Sequence, residues 1–284
     1  MTSVAVLGTG LLGTAIATRL LERGLDVHVW NRDPARIVPL VAKGAVAIDN
    51  LKRAAADNRA IITVLRDGST TASVIDAMGT LQGSTVIPMG TMGVAESRNL
   101  AIHVADQGGH YLEAPVLGSR PQALSGTLLV MAGGETNDFN QQHKLLTHLA
   151  EQPLHVGPVG SGTATKLALN QMIASLTHSF SLSLRLIQRS GVPVETFMKI
   201  LRPSALYAPT FDKKLQRMLD HHYSDPNFST ALLRKDLRLF LEEAATAGLQ
   251  ASGIEGLATL LDDAQGGDLD DQDYCAIHEL TLLR

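Results

Sequence analysis

Val4-Ala5-Val6-Leu7-Gly8-Thr9-Gly10-Leu11-Leu12-Gly13 is the stretch on which the fold turns. Four apolar residues make a strand-type run, and from Leu12 apolar residues recur at Ile16 and Leu20, a helical spacing. The three glycines stand between strand and helix in the pattern G-x-G-x-x-G. Gly8 permits a tight turn, Gly10 lets the backbone approach a pyrophosphate, and Gly13 lets helix and strand pack closely. Phosphate oxygens would meet the N–H groups and positive dipole end of that helix. Gly8, Gly10, Leu11, Leu12 and Gly13 are therefore the expected contacts of a dinucleotide cofactor. With 25 glycines in the chain, chance matches occur, so the strand–turn–helix context carries the reading.

Gly24 ends that helix, and residues 27–30 form a second strand running into Asn31 and Arg32. An NAD-preferring site has an acid here, about 20 residues past the loop, to bind the ribose 2′-hydroxyl. Asn31 and Arg32 occupy the place instead. A guanidinium pairs with a 2′-phosphate that a carboxylate would repel, so NADP(H) is the expected cofactor. Asp33-Pro34 reads as an N-cap followed by a first-turn proline, and Pro39 should bend or shorten the helix it opens. Further strands are expected at 61–65, 85–87, 111–113, 128–132 and 155–156, with helical patterns between most of them. That alternation implies βαβ units and a mostly parallel sheet.

From Ser161 the pattern changes and no strand signal follows. Residues 161–189 hold no proline and only one glycine, Gly162. They fit one helix of about 29 residues, ~43 Å long at 1.5 Å per residue, joining two domains; their serines and threonines fit a kink equally. The remainder reads as four or five helices bounded by glycines and prolines. The expected architecture is an α/β Rossmann N-terminal domain over residues 1–160, and an all-α C-terminal domain over 161–284 that begins with the long interdomain helix.

Composition narrows the function. The chain has 284 residues, 45% hydrophobic and 18% charged, which suits a globular protein of roughly two domains. A net charge of -4 without a basic block argues against a nucleic-acid partner. No apolar run reaches the ~18 residues of a membrane span, and the N-terminus lacks signal-peptide character. Cys275 is the single cysteine, so no internal disulfide forms, and a cytoplasmic location is expected. The ten histidines are scattered without metal-ligand spacing, so no metal site is expected. Ser119 lacks an evident histidine–acid set for hydrolase chemistry.

Gly157-Pro158-Val159-Gly160-Ser161-Gly162 is a flexible joint, with Lys166 four residues beyond it and Asn170 at i+4. That spacing stacks Lys166 and Asn170 on one helix face. Alone, a lysine early in a helix is most simply solvated. Beside a cofactor domain it reads as the acid that protonates a carbonyl oxygen as hydride arrives at carbon, with asparagine orienting it.

These segments, in order VAVLGTGLLG, VWNRDP, EAPVLGSRPQALSGTLLVMAGG, GSGTATKLALN, KDLRL and GDLDDQDY, resemble the β-hydroxyacid dehydrogenase family over nearly the whole chain. The family includes 3-hydroxyisobutyrate dehydrogenase and, more distantly, 6-phosphogluconate dehydrogenase; VWNR is most similar to the NADPH-preferring glyoxylate/succinic semialdehyde reductase branch. The resemblance implies that Lys166 is the catalytic lysine and Asn170 its partner. It implies that backbone amides at Gly118 and Ser119 bind a substrate carboxylate, that Thr91 lies by the substrate, and that Lys235 stands at the cofactor end of the cleft, near substrate and cofactor. A small-molecule acid substrate and a homo-oligomer, dimer or tetramer, are implied with it. Two positions depart from the pattern: Gly90 stands where a serine is common, and Leu117 where serine follows Pro-Val. Both remove hydroxyls beside the substrate. An imine reductase shares the two-domain plan and the NADPH preference but usually lacks a lysine at the place of Lys166. A cofactor-binding module without catalysis is the third alternative.

Overall fold

The first strand, β1 (Ser3–Leu7), decides how the sheet is layered. Its residues alternate between two cores, as side chains on a strand must. Val4 and Val6 join one buried cluster with Val27, Val29 and Ile62, whereas Ala5 and Leu7 join another with Ile61, Ile75 and Val86. A strand buried on both faces reads as a continuous apolar run, which is why residues 4–7 carry no polar alternation. The structure is a computed structural model and describes residues 3–282.

The order after β1 is α1 (Leu11–Glu22), β2 (Asp26–Trp30), a 3-10 turn (Pro34–Ile37), α2 (Val38–Val41), β3 (Val46–Ala47), α3 (Leu51–Asp57), β4 (Ala60–Thr63), α4 (Gly68–Met78), β5 (Thr85–Pro88), α5 (Val94–Asp106) and β6 (His110–Glu113). Next come β7 (Val116–Leu117), α6 (Arg120–Ser125), β8 (Leu129–Gly134), α7 (Thr136–Leu146) and β9 (Leu154–Gly157). Among the described residues these strands form one sheet in the order β3-β2-β1-β4-β5-β6-β8-β7, with β9 beside β8. The first six are parallel, in the strand order of a dinucleotide-binding fold. β8 runs antiparallel to β6 and β7. The strand order reverses at β1 and β4, where Leu7 pairs with Thr63, and ligands of such sheets bind beyond the carboxyl ends of the strands at that point.

The expected strands are present, with ends displaced by a residue or two. Two short ones, β3 and β7, were not expected: two residues give no period to read, and both residues of β3 are exposed at the sheet edge. Asp33 caps the turn after β2 by accepting from the Ala35 N–H at 3.1 Å. Pro39 falls in the first turn of α2, where its missing N–H leaves no helix bond unmade, and the helix is only four residues long.

Helix α8 runs from Ser161 to Arg189 without interruption, 29 residues. It is followed by α9 (Val194–Leu201), α10 (Pro209–Leu219), α11 (Thr230–Thr246), α12 (Ser252–Asp262) and a 3-10 segment (Tyr274–Thr281). The chain divides into two compact units at Lys166, so the first turn and a half of α8 belongs with the sheet. In the second unit Phe180, Leu184, Met198 and Phe211 make one core and Ala174, Leu233, Leu237 and Leu261 another. Cys275 is fully buried there, and burial pushes its thiol well above the ordinary range, so it is a packing residue.

Candidate active site

The glycine loop is shaped by what each glycine cannot accommodate. Gly8 has φ +97°, and a Cβ there would run into the Val64 carbonyl. A Cβ at Gly13 would run into the Gly8 carbonyl, so helix α1 meets the loop with no room for a side chain. Gly10 is different: a Cβ there would meet nothing within 4 Å. The loop's backbone thus faces open space at Gly10, as the close approach of a pyrophosphate to the start of α1 would require. A cavity of about 410 Å³ adjoins it, lined by Thr9, Gly10, Leu11, Arg36, Lys43 and Arg120 among others. Thr9 Oγ1 is buried there and has no hydrogen-bond partner among the described residues. An open cradle of N–H groups, an unmatched hydroxyl and three cationic side chains fit a dinucleotide bearing phosphates.

Asn31 does a task that the sequence did not suggest. Its Oδ1 accepts from the Thr9 N–H at 3.1 Å and its Nδ2 donates to the Asp33 carbonyl at 3.1 Å. It therefore ties the end of β2 to the glycine loop. Arg32 beside it is exposed and has no ion-pair partner among the described residues, which leaves its guanidinium available to a 2′-phosphate.

The start of α8 is held by a carboxylate from elsewhere in the sheet. Glu113, the last residue of β6, is 1% exposed. Its Oε1 accepts from the N–H groups of Gly160 at 2.8 Å, Gly162 at 2.7 Å and Thr163 at 3.2 Å. Its Oε2 accepts from Thr163 Oγ1 at 2.8 Å and from Ser97 Oγ. A carboxylate is costly to bury unless hydrogen bonds replace its water, and here five do so. Burial raises the neighbouring Tyr111 phenol above its ordinary range; its bond to Ser97 opposes this and the charge of Glu113 adds to it.

Lys166, half-buried, lies one turn beyond Thr163 on α8, and Asn170 lies one turn further on the same helix. In the second unit Asn170 is 2% exposed, and its Nδ2 donates to Asp236 Oδ2 at 2.6 Å. Lys235 Nζ stands 2.9 Å from the other oxygen of Asp236. Asp236 was missed at sequence level; the signal was its place beside Lys235 in Lys235-Asp236-Leu237, one step from a residue already singled out. Glu113 was quoted only as part of a motif, because an acid at a strand end gives no sign that it caps a helix 47 residues later.

The two loops expected to meet a substrate differ from expectation in detail. Gly90 has no space for a side chain, since a Cβ would run into the Leu65 carbonyl, which explains why the expected serine is absent. Thr91, next to it, is half-buried. Gly118 takes φ +129°, a conformation glycine favours. Gln122 Oε1 accepts from both the Ser119 N–H and the Ser119 Oγ, each at 3.0 Å. The Ser119 amide is thus satisfied from within α6, and an anion binding there has to displace Gln122. Among the described residues no group of three or more His, Cys, Asp or Glu side chains is arranged to hold a metal ion, and no helix is long and apolar enough to cross a membrane.

Residues 3–157 match the family model described as the NAD binding domain of 6-phosphogluconate dehydrogenase. Residues 160–281 match that described as the NAD-binding of NADP-dependent 3-hydroxyisobutyrate dehydrogenase. The chain is 30% identical to glyoxylate/succinic semialdehyde reductase 1 of Arabidopsis thaliana over 285 residues, covering 97% of each chain. Its fold is similar to that of Mycobacterium tuberculosis 3-hydroxyisobutyrate dehydrogenase solved with L-serine, with a TM-score of 0.89, 22% identity and 98% of both chains covered. It is also similar to an imine reductase from Pseudomonas sp., with a TM-score of 0.67, 23% identity and 99% of both chains covered.

Proposed function

Because the chain belongs to the β-hydroxyacid dehydrogenase family of NAD(P)-dependent oxidoreductases and takes NADP(H) as its cofactor, we propose that it reduces a small aldehyde- or keto-acid of the glyoxylate or succinic semialdehyde type, or in reverse oxidises a β-hydroxyacid, with Lys166 as the proton donor and acceptor. The observation that carries this reading is the pair Lys166 and Asn170 at i, i+4 on α8, in a chain similar along 97% of its length to a reductase of such acids. NADPH, when bound, supplies a hydride to the carbonyl carbon. The residues do the rest. The Lys166 ammonium donates a proton to the carbonyl oxygen as negative charge develops on it. Asn170 has its Nδ2 committed to Asp236, so its Oδ1 is the atom offered to the ammonium, and it aims the proton. Gly118, Ser119 and Thr91 take the substrate's acid end.

A second reading has its own support. Gln122 satisfies the Ser119 amide, Leu117 replaces a hydroxyl with an apolar chain, and Gly90 excludes another. These features favour a carbonyl or imine substrate whose acid group is distant or absent. The test is NADPH oxidation, followed at the nicotinamide absorbance, with glyoxylate, succinic semialdehyde, a neutral aldehyde of equal length and a cyclic imine. The main reading expects the aldehyde-acids to turn over best. Preference for the neutral aldehyde or the imine favours the second, and no turnover of any of the four contradicts both.

A further inference from the structure

We propose that Glu113 is a positioning residue for this reduction: its buried carboxylate fixes the first turn of α8 against the sheet that carries the cofactor loop, and so fixes where Lys166 can reach. The proposal rests on the reading of Lys166 given above.

Three observations carry it. The residue before α8 is Gly160, which has no side chain, so the helix has no local side-chain cap for its first N–H groups. Helices ordinarily meet that need with a serine, threonine, asparagine or aspartate at the N-cap. Here the need is met in trans. Glu113 takes the N–H groups of Gly160, Gly162 and Thr163 together with the Thr163 hydroxyl. A local cap would stabilise the helix equally well without saying where it lies; a cap from β6 ties it to the sheet.

The approach is also tight. A Cβ at Gly162 would run into the Met131 carbonyl, and one at Gly133 would run into Glu113 Oε1. β8, β6 and the first turn of α8 are therefore in backbone contact with no slack to absorb a shift. Finally, the carboxylate is itself held. Ser97 Oγ donates to Oε2, and Ser97 Oγ in turn meets the Tyr111 hydroxyl at 2.8 Å. A negative charge at the positive end of the helix is favourable in addition. Lys166 follows Thr163 by three residues, so a helix start that tilts or rotates moves the ammonium group directly. Misplacement by about 1 Å costs on the order of a hundredfold in rate.

The test uses the full-length enzyme and the best substrate of the four-compound assay. Glu113→Gln keeps the shape but points an amide N–H₂ or a weaker acceptor at the donors of α8. We expect kcat per NADPH-binding site to fall on the order of tenfold to a hundredfold. NADPH affinity and KM should change little, and the solvent deuterium isotope effect on kcat should rise, because proton transfer becomes harder. A loss of folded protein alone lowers the number of NADPH-binding sites and leaves kcat per site and the isotope effect as they were. Glu113→Asp, which keeps the charge, should recover part of both. Thr163→Val deletes one of the five hydrogen bonds and should show the same signature at smaller amplitude; it decides the matter if Glu113→Gln does not fold. Wild-type kcat and isotope effect in Glu113→Gln, or in Thr163→Val when only that variant folds, overturn the proposal. Lys166→Ala is assayed alongside. If it stays active, the proton-donor reading falls and this proposal with it; if it is inactive while Glu113→Gln behaves as wild type, this proposal alone falls.

Discussion

Asn170 Nδ2 donates a 2.6 Å hydrogen bond to Asp236 Oδ2, while Asn170 Oδ1 has no hydrogen-bond partner among the described residues. The contact fixes which way the amide faces. It also makes a specific substitution informative. In Asn170→Asp two buried carboxylates would face each other at the place of that bond, and because the Lys235 ammonium 2.9 Å from Asp236 Oδ1 offsets only one of the two charges, the pair ionises once near neutral pH. The folded state would then hold a proton that the unfolded state releases. For an acid whose folded pKa is raised, stability is lost as pH rises above the unfolded carboxyl range. The thermal midpoint of Asn170→Asp, relative to wild type, should therefore fall between pH 5 and pH 8. Asn170→Ala, with no added acid, should stay parallel to wild type. Parallel behaviour of both variants contradicts the close pairing of residues 170 and 236.

Arg32 is predicted to set cofactor preference. It is exposed, and its removal leaves no partner stranded among the described residues. Arg32→Ala should hardly change stability, within about 0.5 kcal/mol as for most surface substitutions. It should weaken NADPH binding by about tenfold or more, the loss of ~1.5–3 kcal/mol expected for a hydrogen bond to a charged group, and leave NADH binding unchanged. Titrating both cofactors against both proteins checks this. Equal losses for NADPH and NADH would place the 2′-phosphate elsewhere.

Gly10 and Gly13 are predicted to fail in opposite ways. A side chain at Gly10 enters empty space, so Gly10→Val should fold normally by circular dichroism and lose NADPH binding, because it fills the pyrophosphate's approach. A side chain at Gly13 meets the Gly8 carbonyl, so Gly13→Ala should lower the melting temperature before any ligand is added. Calorimetry with NADPH and thermal melts on both variants separate the two roles. Retained binding by a folded Gly10→Val contradicts the placement of the cofactor.

These contrasts also mark how far the sequence could be read. The glycine loop, the strand run at 4–7 and the glycine-poor stretch of 29 residues in α8 were legible, because period and backbone freedom are local properties. The helix start at Asp33-Pro34 and the shortness imposed around Pro39 were legible for the same reason, whereas the 3-10 form of the first turn was not. What stayed hidden depends on pairs distant in the chain. Glu113 meets Gly162 across 49 residues, and Asn170 meets Asp236 across 66. No local pattern encodes either. Gln122 was hidden differently: its capping of Ser119 is local, but a glutamine three residues past a serine attracts no attention when the serine is being read as a substrate contact.

His278 is predicted to make the second unit acid-sensitive. It is fully buried, its Nδ1 meets Ser181 Oγ at 2.5 Å, and its Nε2 has no hydrogen-bond partner among the described residues. Burial, with Arg185 adding, lowers its pKa to about 4. For a base whose folded pKa is lowered, the unfolded chain binds more protons between the two values, so stability falls as pH drops through that window. The fall between about pH 6.5 and pH 4 is on the order of 3 kcal/mol at 1.36 kcal/mol per unit. His278→Gln, which keeps a partner for Ser181 and does not titrate, should remove most of that slope from a series of thermal melts. An unchanged slope assigns the acid sensitivity to other groups.

The proton-donor role of Lys166 is tested most directly by steady-state kinetics of Lys166→Ala with separate NADPH titration. Proton transfer by a positioned side chain contributes roughly 10²–10⁴-fold, about 2.7–5.4 kcal/mol of barrier. Lys166→Ala should therefore lower kcat by at least about a hundredfold while the Kd for NADPH changes little, and Lys166→Arg should not restore turnover, since guanidinium holds its proton near neutral pH. Near-normal turnover in Lys166→Ala, or a collapse of NADPH binding together with kcat, would contradict the account.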